Sequence, residues 1–229
     1  MSIPLLAPGL AAEIFDSAAL SGTALVSHPM PDLGEWRAST TVGRMPLPAR
    51  TVLVLREGGA AMIPLEPGGE AEQRLHQGGH IRLRAPNGGA LAATLTRAGS
   101  TDPAWTSREL QDGDWFGCMP LRPGRYRLTN RLSQAEALVV VRYPDPRIDR
   151  DPTQHAEPVR IRAGGGFGPD QVEIFPGQPL VIQITAPAHL VLALFEPDDG
   201  PADLAAWRAR HDAEALAKIG ARRHRAAEG

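Results

Sequence analysis

Short runs in which apolar and polar residues alternate recur along most of the chain, at 51–56, 60–65, 80–85, 91–97, 115–118, 126–129 and 135–142. Period-two alternation is the signature of a strand that buries one face. The 24 glycines and 22 prolines are spread along the chain, where they space these runs and interrupt long helices. The pattern predicts a mainly β fold.

Two stretches echo each other. Residues 53–59 and 159–165 share an apolar-Arg-x-Gly-Gly strand end, and 75–95 and 174–194 share a turn at Gly78 or Gly177 followed by two apolar runs. The segment Pro64-Leu-Glu-Pro-Gly-Gly-Glu70 reads as a loop insertion in the first copy. Internal repeats set an architecture before any residue has a role. The echo predicts two related antiparallel β-sandwich units, although hairpins of separate origin give similar patterns.

The predicted organisation has five parts. Residues 1–50 form an irregular N-terminal arm with a short helix over 10–20. The first β-sandwich unit spans 51–142, and a proline-rich linker occupies 143–158. The second, smaller β unit covers 159–198, and a C-terminal helix and basic tail cover 199–229. In that helix, Pro201 suits the first helical position, and Leu204 and Trp207 share one face. They are the expected interaction residues. The second unit, about forty residues long, is too small to bury a core alone. It must pack on the first unit, the arm or another subunit.

Composition narrows the partners. The formal net charge is -2, so no global field marks the chain for nucleic acid or an anionic membrane. The N-terminus lacks a basic region followed by an unbroken apolar stretch, and no run is long enough to span a bilayer. A cytoplasmic location is predicted. Cys118 is the single cysteine, which excludes an intramolecular disulfide.

The strand pattern resembles the cupredoxin superfamily in specific places. They are Phe167-Gly-Pro-Asp-Gln-Val-Glu-Ile174, the turn at Pro176-Gly-Gln178, the run Leu180-Val-Ile-Gln-Ile184, and Pro123-Gly-Arg-Tyr126 through Ala137-Leu-Val-Val-Val141. The resemblance implies a cupredoxin-like sandwich, with His189 where many members carry a first copper-binding histidine. It also implies a cysteine and a second histidine close together on the last hairpin. Here Cys118 is followed by Met119-Pro-Leu-Arg-Pro123, and no cysteine follows His189. A blue-copper centre needs a thiolate and two imidazoles, so the copper ligand set is missing and no cofactor is expected.

No nucleophile elbow or phosphate-binding loop is present, and Cys118 has no local base to activate it. The expected function is a non-catalytic binding or assembly module acting through protein–protein contacts, as an oligomer or within a larger complex. A membrane partner is not expected, and nucleic acid is disfavoured. The alternative is a metal-binding protein or metal-dependent enzyme gathering His76, His80, His155 and His189. His76 and His80 flank a Gly-Gly turn, where two solvated turn histidines compete with a shared metal.

Overall fold

The computed structural model describes residues 13–66, 68–85, 90–142 and 157–198. In chain order the strands are β1 (Ile14–Asp16), β2 (Leu25–Pro29), β3 (Gly34–Val42), β4 (Met45–Pro46), β5 (Arg50–Leu55) and β6 (Ala60–Pro64). Then come β7 (Glu72–Arg84), β8 (Leu91–Arg97), β9 (Pro103–Thr106), β10 (Trp115–Cys118), β11 (Gly124–Asn130) and β12 (Ala135–Val141). The last are β13 (Val159–Ala163), β14 (Phe167–Gly168), β15 (Gln171–Ile174), β16 (Leu180–Ile184) and β17 (Leu190–Pro197). No helix occurs among the described residues. The predicted C-terminal helix, with Leu204 and Trp207, and His155 of the linker lie outside them.

The strands form two sheets. One has the order β1-β17-β11-β12-β15. The larger runs β14-β13-β16-β10-β2-β7-β5-β3-β8-β9, with β4 on β3 and β6 on β7. Most ladders are antiparallel. The parallel ones are β12/β15, β13/β16, β5/β7 and β6/β7.

Alternation explains why these residues form strands. In β3, Trp36, Ala38 and Thr40 are buried while Glu35, Arg37 and Ser39 are exposed. In β11, Tyr126 and Leu128 point inward and Arg125 and Arg127 outward. One continuous core joins inward residues of both sheets, including Tyr126, Val139, Ile174 and Leu192 with Phe116, Leu83, Leu95 and Ile182. Gly124 begins β11 with φ near +144°, and a Cβ there would stand 2.6 Å from the Glu196 carbonyl oxygen. Only glycine admits both that backbone and that approach.

The arm differs from expectation. Its described part carries β1 to β4, and the helix predicted over 10–20 is replaced from Ile14 by a strand and a turn. Phe15 is buried and pairs with Leu192 of β17, so a long-range ladder outcompetes the local apolar spacing that suggested a helix. The small second unit packs on two of the three surfaces proposed for it. β15, β16 and β17 pair with β12, β10 and β11, and β1 of the arm pairs with β17. Pro64–Glu70 does lie between strands: beyond Pro64, the last residue of β6, its described residues join β6 to β7.

Candidate functional site

The predicted histidines are not gathered. His76 and His80 both lie within β7, around the irregularity at Gly78-Gly79. His76 is exposed, whereas His80 shares a hydrogen bond of 3.1 Å between its Nδ1 and Ser27 Oγ. His189 stands at the other sheet, with Nε2 2.9 Å from Asp16 Oδ1. Among the described residues no group of three His, Cys, Asp or Glu side chains is placed to hold a metal ion.

Cys118 is buried at the end of β10, paired with Leu180. Burial pushes its thiol far above the usual range, so it stays protonated and packs as a small apolar side chain. Tyr126 is also buried. Desolvation is the main reason its phenol rises to about 12, with Arg122 opposing the rise and Glu13 and Cys118 adding to it. Its hydroxyl donates to the Arg122 carbonyl at 2.8 Å.

A polar cluster that sequence reasoning missed lies inside the larger sheet. Asp114 is fully buried. Its Oδ1 accepts from His28 Nδ1 at 2.6 Å, and its Oδ2 accepts from Trp105 Nε1 and the Gln111 amide, each at 2.8 Å. The His28 ring stacks on Trp105 with centroids 4.5 Å apart. Three donors around one carboxylate are what a buried charge requires. The pair orients an imidazole as general-base chemistry would need. No hydroxyl or thiol is hydrogen-bonded to that imidazole among the described residues, so the cluster reads as a structural staple between β2 and β10.

The outward face of the same sheet is different. The ladder registers place Arg160, Val181, Gly117, Leu25 and Arg84 in one row across β13, β16, β10, β2 and β7. The next row contains Arg162, Gln183, Trp115, Ser27 and Arg82. A central strip carrying Leu25, Trp115 and Val181 is thus flanked by two arginines on each side. At the usual strand spacing the flanks are about 19 Å apart. No Asp or Glu stands in either row, and none of the four arginines has an ion-pair partner among the described residues. The Arg82 Nε is buried and unpartnered there. Over the strip lies a cleft of about 280 Å³ lined by Leu25, Trp115, Met119, Val181, Arg82 and Arg84.

This face had a signal in the sequence. Arg82-Leu83-Arg84 and Arg160-Ile161-Arg162 are the same Arg-apolar-Arg triplet, which on a strand sends both guanidiniums to one side. That the two triplets flank one strip depends on a strand order no local pattern encodes. No known family, no curated protein and no solved structure matches this chain.

Proposed function

We propose that the protein is a non-catalytic binding module that docks a partner protein across the outward face of β13, β16, β10, β2 and β7. The occupant is an extended acidic segment whose apolar residues alternate with Asp or Glu. The observation that carries this reading is the pair of rows in which arginines with no ion-pair partner among the described residues flank a Trp and Leu strip. Aromatic and arginine side chains supply most of the binding energy where proteins meet. Unopposed positive charge on both flanks selects an acidic partner and speeds its encounter. The same charges oppose a second copy docking face to face, so the partner is a different chain within a larger complex. The cupredoxin-like reading belongs to this proposal as its scaffold. Its motifs fall on the β11–β12 hairpin and on the turn around Gly177 between β15 and β16. The metal-binding alternative has no comparable support, because His76, His80 and His189 have separate surroundings.

The test is fluorescence anisotropy with a labelled eight-residue peptide alternating Glu with Leu and Phe, titrated with the full chain at low salt. Saturable binding that weakens with salt and falls at least tenfold in Arg82→Glu/Arg160→Glu is the expected result. Absence of binding, or binding indifferent to that double substitution, refutes the reading. A labelled oligothymidine run in parallel must bind less tightly. If it binds more tightly, the face serves nucleic acid and the protein-partner proposal fails.

A further inference from the structure

The ladder registers obey a rule that no single strand reveals. Shifting by ninety residues carries Leu25, Val26 and Ser27 of β2 onto Trp115, Phe116 and Gly117 of β10. These two strands pair with each other, Val26 opposite Phe116, Ser27 opposite Trp115 and Leu25 opposite Gly117. An antiparallel pair of equivalent strands with one equivalent couple at its centre is the mark of a two-fold axis.

The neighbours follow the same operation. Leu25, Val26 and Ser27 face Arg84, Leu83 and Arg82 of β7, just as Trp115, Phe116 and Gly117 face Gln183, Ile182 and Val181 of β16. The hairpin pairs Gly34 with Val54 and Trp36 with Val52; its counterpart pairs Gly124 with Val141 and Tyr126 with Val139. Thr51 to Val54 run parallel to Glu72 to Leu75, as Leu138 to Val141 run parallel to Gln171 to Ile174. Ala38 opposes Leu95 as Leu128 opposes Leu192. Side-chain and turn bonds repeat too. Trp36 Nε1 donates to the Asp32 carbonyl as Tyr126 Oη does to that of Arg122. Gly78 N donates to the Met30 carbonyl as Gly177 N does to that of Pro120.

The first strand of each half breaks the pattern of self-contained halves. β9, which begins the second half, pairs with β8 of the first, Trp105 opposite Leu95. β1, which begins the first half, pairs with β17 of the second, Phe15 opposite Leu192. The two seams repeat the same pair of serine bonds, although β8/β9 carries an irregularity at Leu95/Thr96 that β1/β17 lacks. Ser107 N donates to the Ala93 carbonyl and Ala93 N to Ser107 Oγ, each at 2.9 Å. Ser17 N donates to the Leu190 carbonyl at 2.9 Å and Leu190 N to Ser17 Oγ at 3.0 Å.

We infer that residues 14–97 and 104–194 are two copies of one β unit joined as a strand-exchanged pair, so that the surface each half presents to the other is a dimer interface contained in one chain. The partner this surface fits is a second copy of the same unit. The correspondence keeps the echo of 75–84 with 174–183, shifts it by two residues in β8 and β17, where Leu95 answers to Leu192, and replaces that of 53–59 with 159–165. By ladder register β13 answers to β6, because Ile63 lies beside Ile81 as Val159 lies beside Leu180. β5 answers to β12.

The connection between the halves is the turn at Gly99, where φ is near +81°. A site-specific protease sequence is inserted between Gly99 and Ser100 of the full chain and cut under native conditions. The expected result is one species at the elution volume of the uncut chain, separating into two pieces only in denaturant. Amides of 14–17 and 104–107 keep their hydrogen-exchange protection. Pieces that part under native conditions, or loss of protection at either seam, overturn the inference. Should the inserted chain not fold, the serines decide it in the uninterrupted protein. Ser17→Ala is expected to speed exchange at the Leu190 amide and Ser107→Ala at the Ala93 amide, by factors agreeing within about threefold. An effect at only one seam refutes the equivalence.

Discussion

Truncating Asp114 to alanine tests the reasoning about the inward cluster most directly. The substitution removes the acceptor for Trp105 Nε1, the Gln111 amide and His28 Nδ1 in one step. Trp105 is 2 % exposed, so its N–H has no water to turn to. An orphaned buried donor costs about 1–3 kcal/mol. Loss of the bond to His28 adds a contribution of similar size, since hydrogen bonds to charged groups are worth about 1.5–3 kcal/mol. Together Asp114→Ala is expected to cost about 3–5 kcal/mol, the range for breaking a buried pair by removing one partner. Domain stabilities are about 5–15 kcal/mol, so a large fraction is at stake. With a urea dependence of about 2 kcal/mol per molar, the unfolding midpoint falls by about 1.5–2.5 M. A companion variant separates polarity from packing. His28→Cys/Trp105→Phe/Asp114→Ala installs the residues found at the equivalent positions of the other half, Cys118, Phe15 and Ala24, and orphans no side-chain donor, only the amide of the exposed Gln111. It is expected to lose less stability than Asp114→Ala alone, because replacing a whole buried polar group by apolar packing is often close to neutral. The assay is equilibrium urea unfolding followed by Trp fluorescence. A midpoint shift below about 0.5 M for Asp114→Ala would show that the carboxylate is not holding the seam.

Two further outcomes follow from the core. Copper added to the purified protein is expected to give no intense visible thiolate band, and Cys118 is expected to resist thiol reagents until the protein unfolds; a band abolished by Cys118→Ser would restore a copper site. Stability that depends on neutral Tyr126 is fully present below pH 10, its usual value, and declines as pH rises toward about 12, because the folded phenol holds its proton more tightly than the unfolded one. Tyr126→Phe should remove that alkaline decline and the late step in tyrosinate absorbance, at a cost near neutrality of about 1 kcal/mol for the lost bond to the Arg122 carbonyl.

What the sequence disclosed was local. Strand existence was legible because burial alternates residue by residue in β3, β5, β11 and β16. The shared glycines at 78 and 177 were legible, and both take positive φ, near +77° and +80°, but Gly78 sits at an irregularity within β7 rather than in the expected turn. The arm was misread because the apolar spacing of Leu10, Ile14 and Phe15 suits a helix, while β1 is held by a strand that arrives more than 170 residues later. The same non-locality hid the His28–Asp114 cluster, whose members come from strands joined only at the centre of the fold. It also hid the boundary between the halves. The segment 143–158 looks like a linker by composition, yet it falls inside the second half, between β12 of one sheet and β13 of the other.

The arginine face and the repeat constrain each other. Under the two-fold operation, Arg82 and Arg84 of β7 fall on Val181 and Gln183 of β16. Arg160 of β13 answers to Pro64 of β6, and Arg162 answers to a position beyond the end of β6. Neither arginine pair has its copy in the other half. The inward residues Val26, Leu83 and Leu95 map onto Phe116, Ile182 and Leu192, so the repeat preserves apolar character where the core demands it. Charge departs from the symmetry at the outward flanks, and polarity departs from it at His28 and Asp114, which stand where Cys118 and Ala24 stand in the other copy. A face built from the repeat alone would bring each charge twice, at positions related by the axis. Here β7 supplies one flank and β13 the other, from positions that are not equivalent, and both bracket the Trp115 strip within the larger sheet. That placement is what the proposed binding role requires of a site added to a symmetric scaffold, with the outward face, rather than either half, as the proposed binding unit.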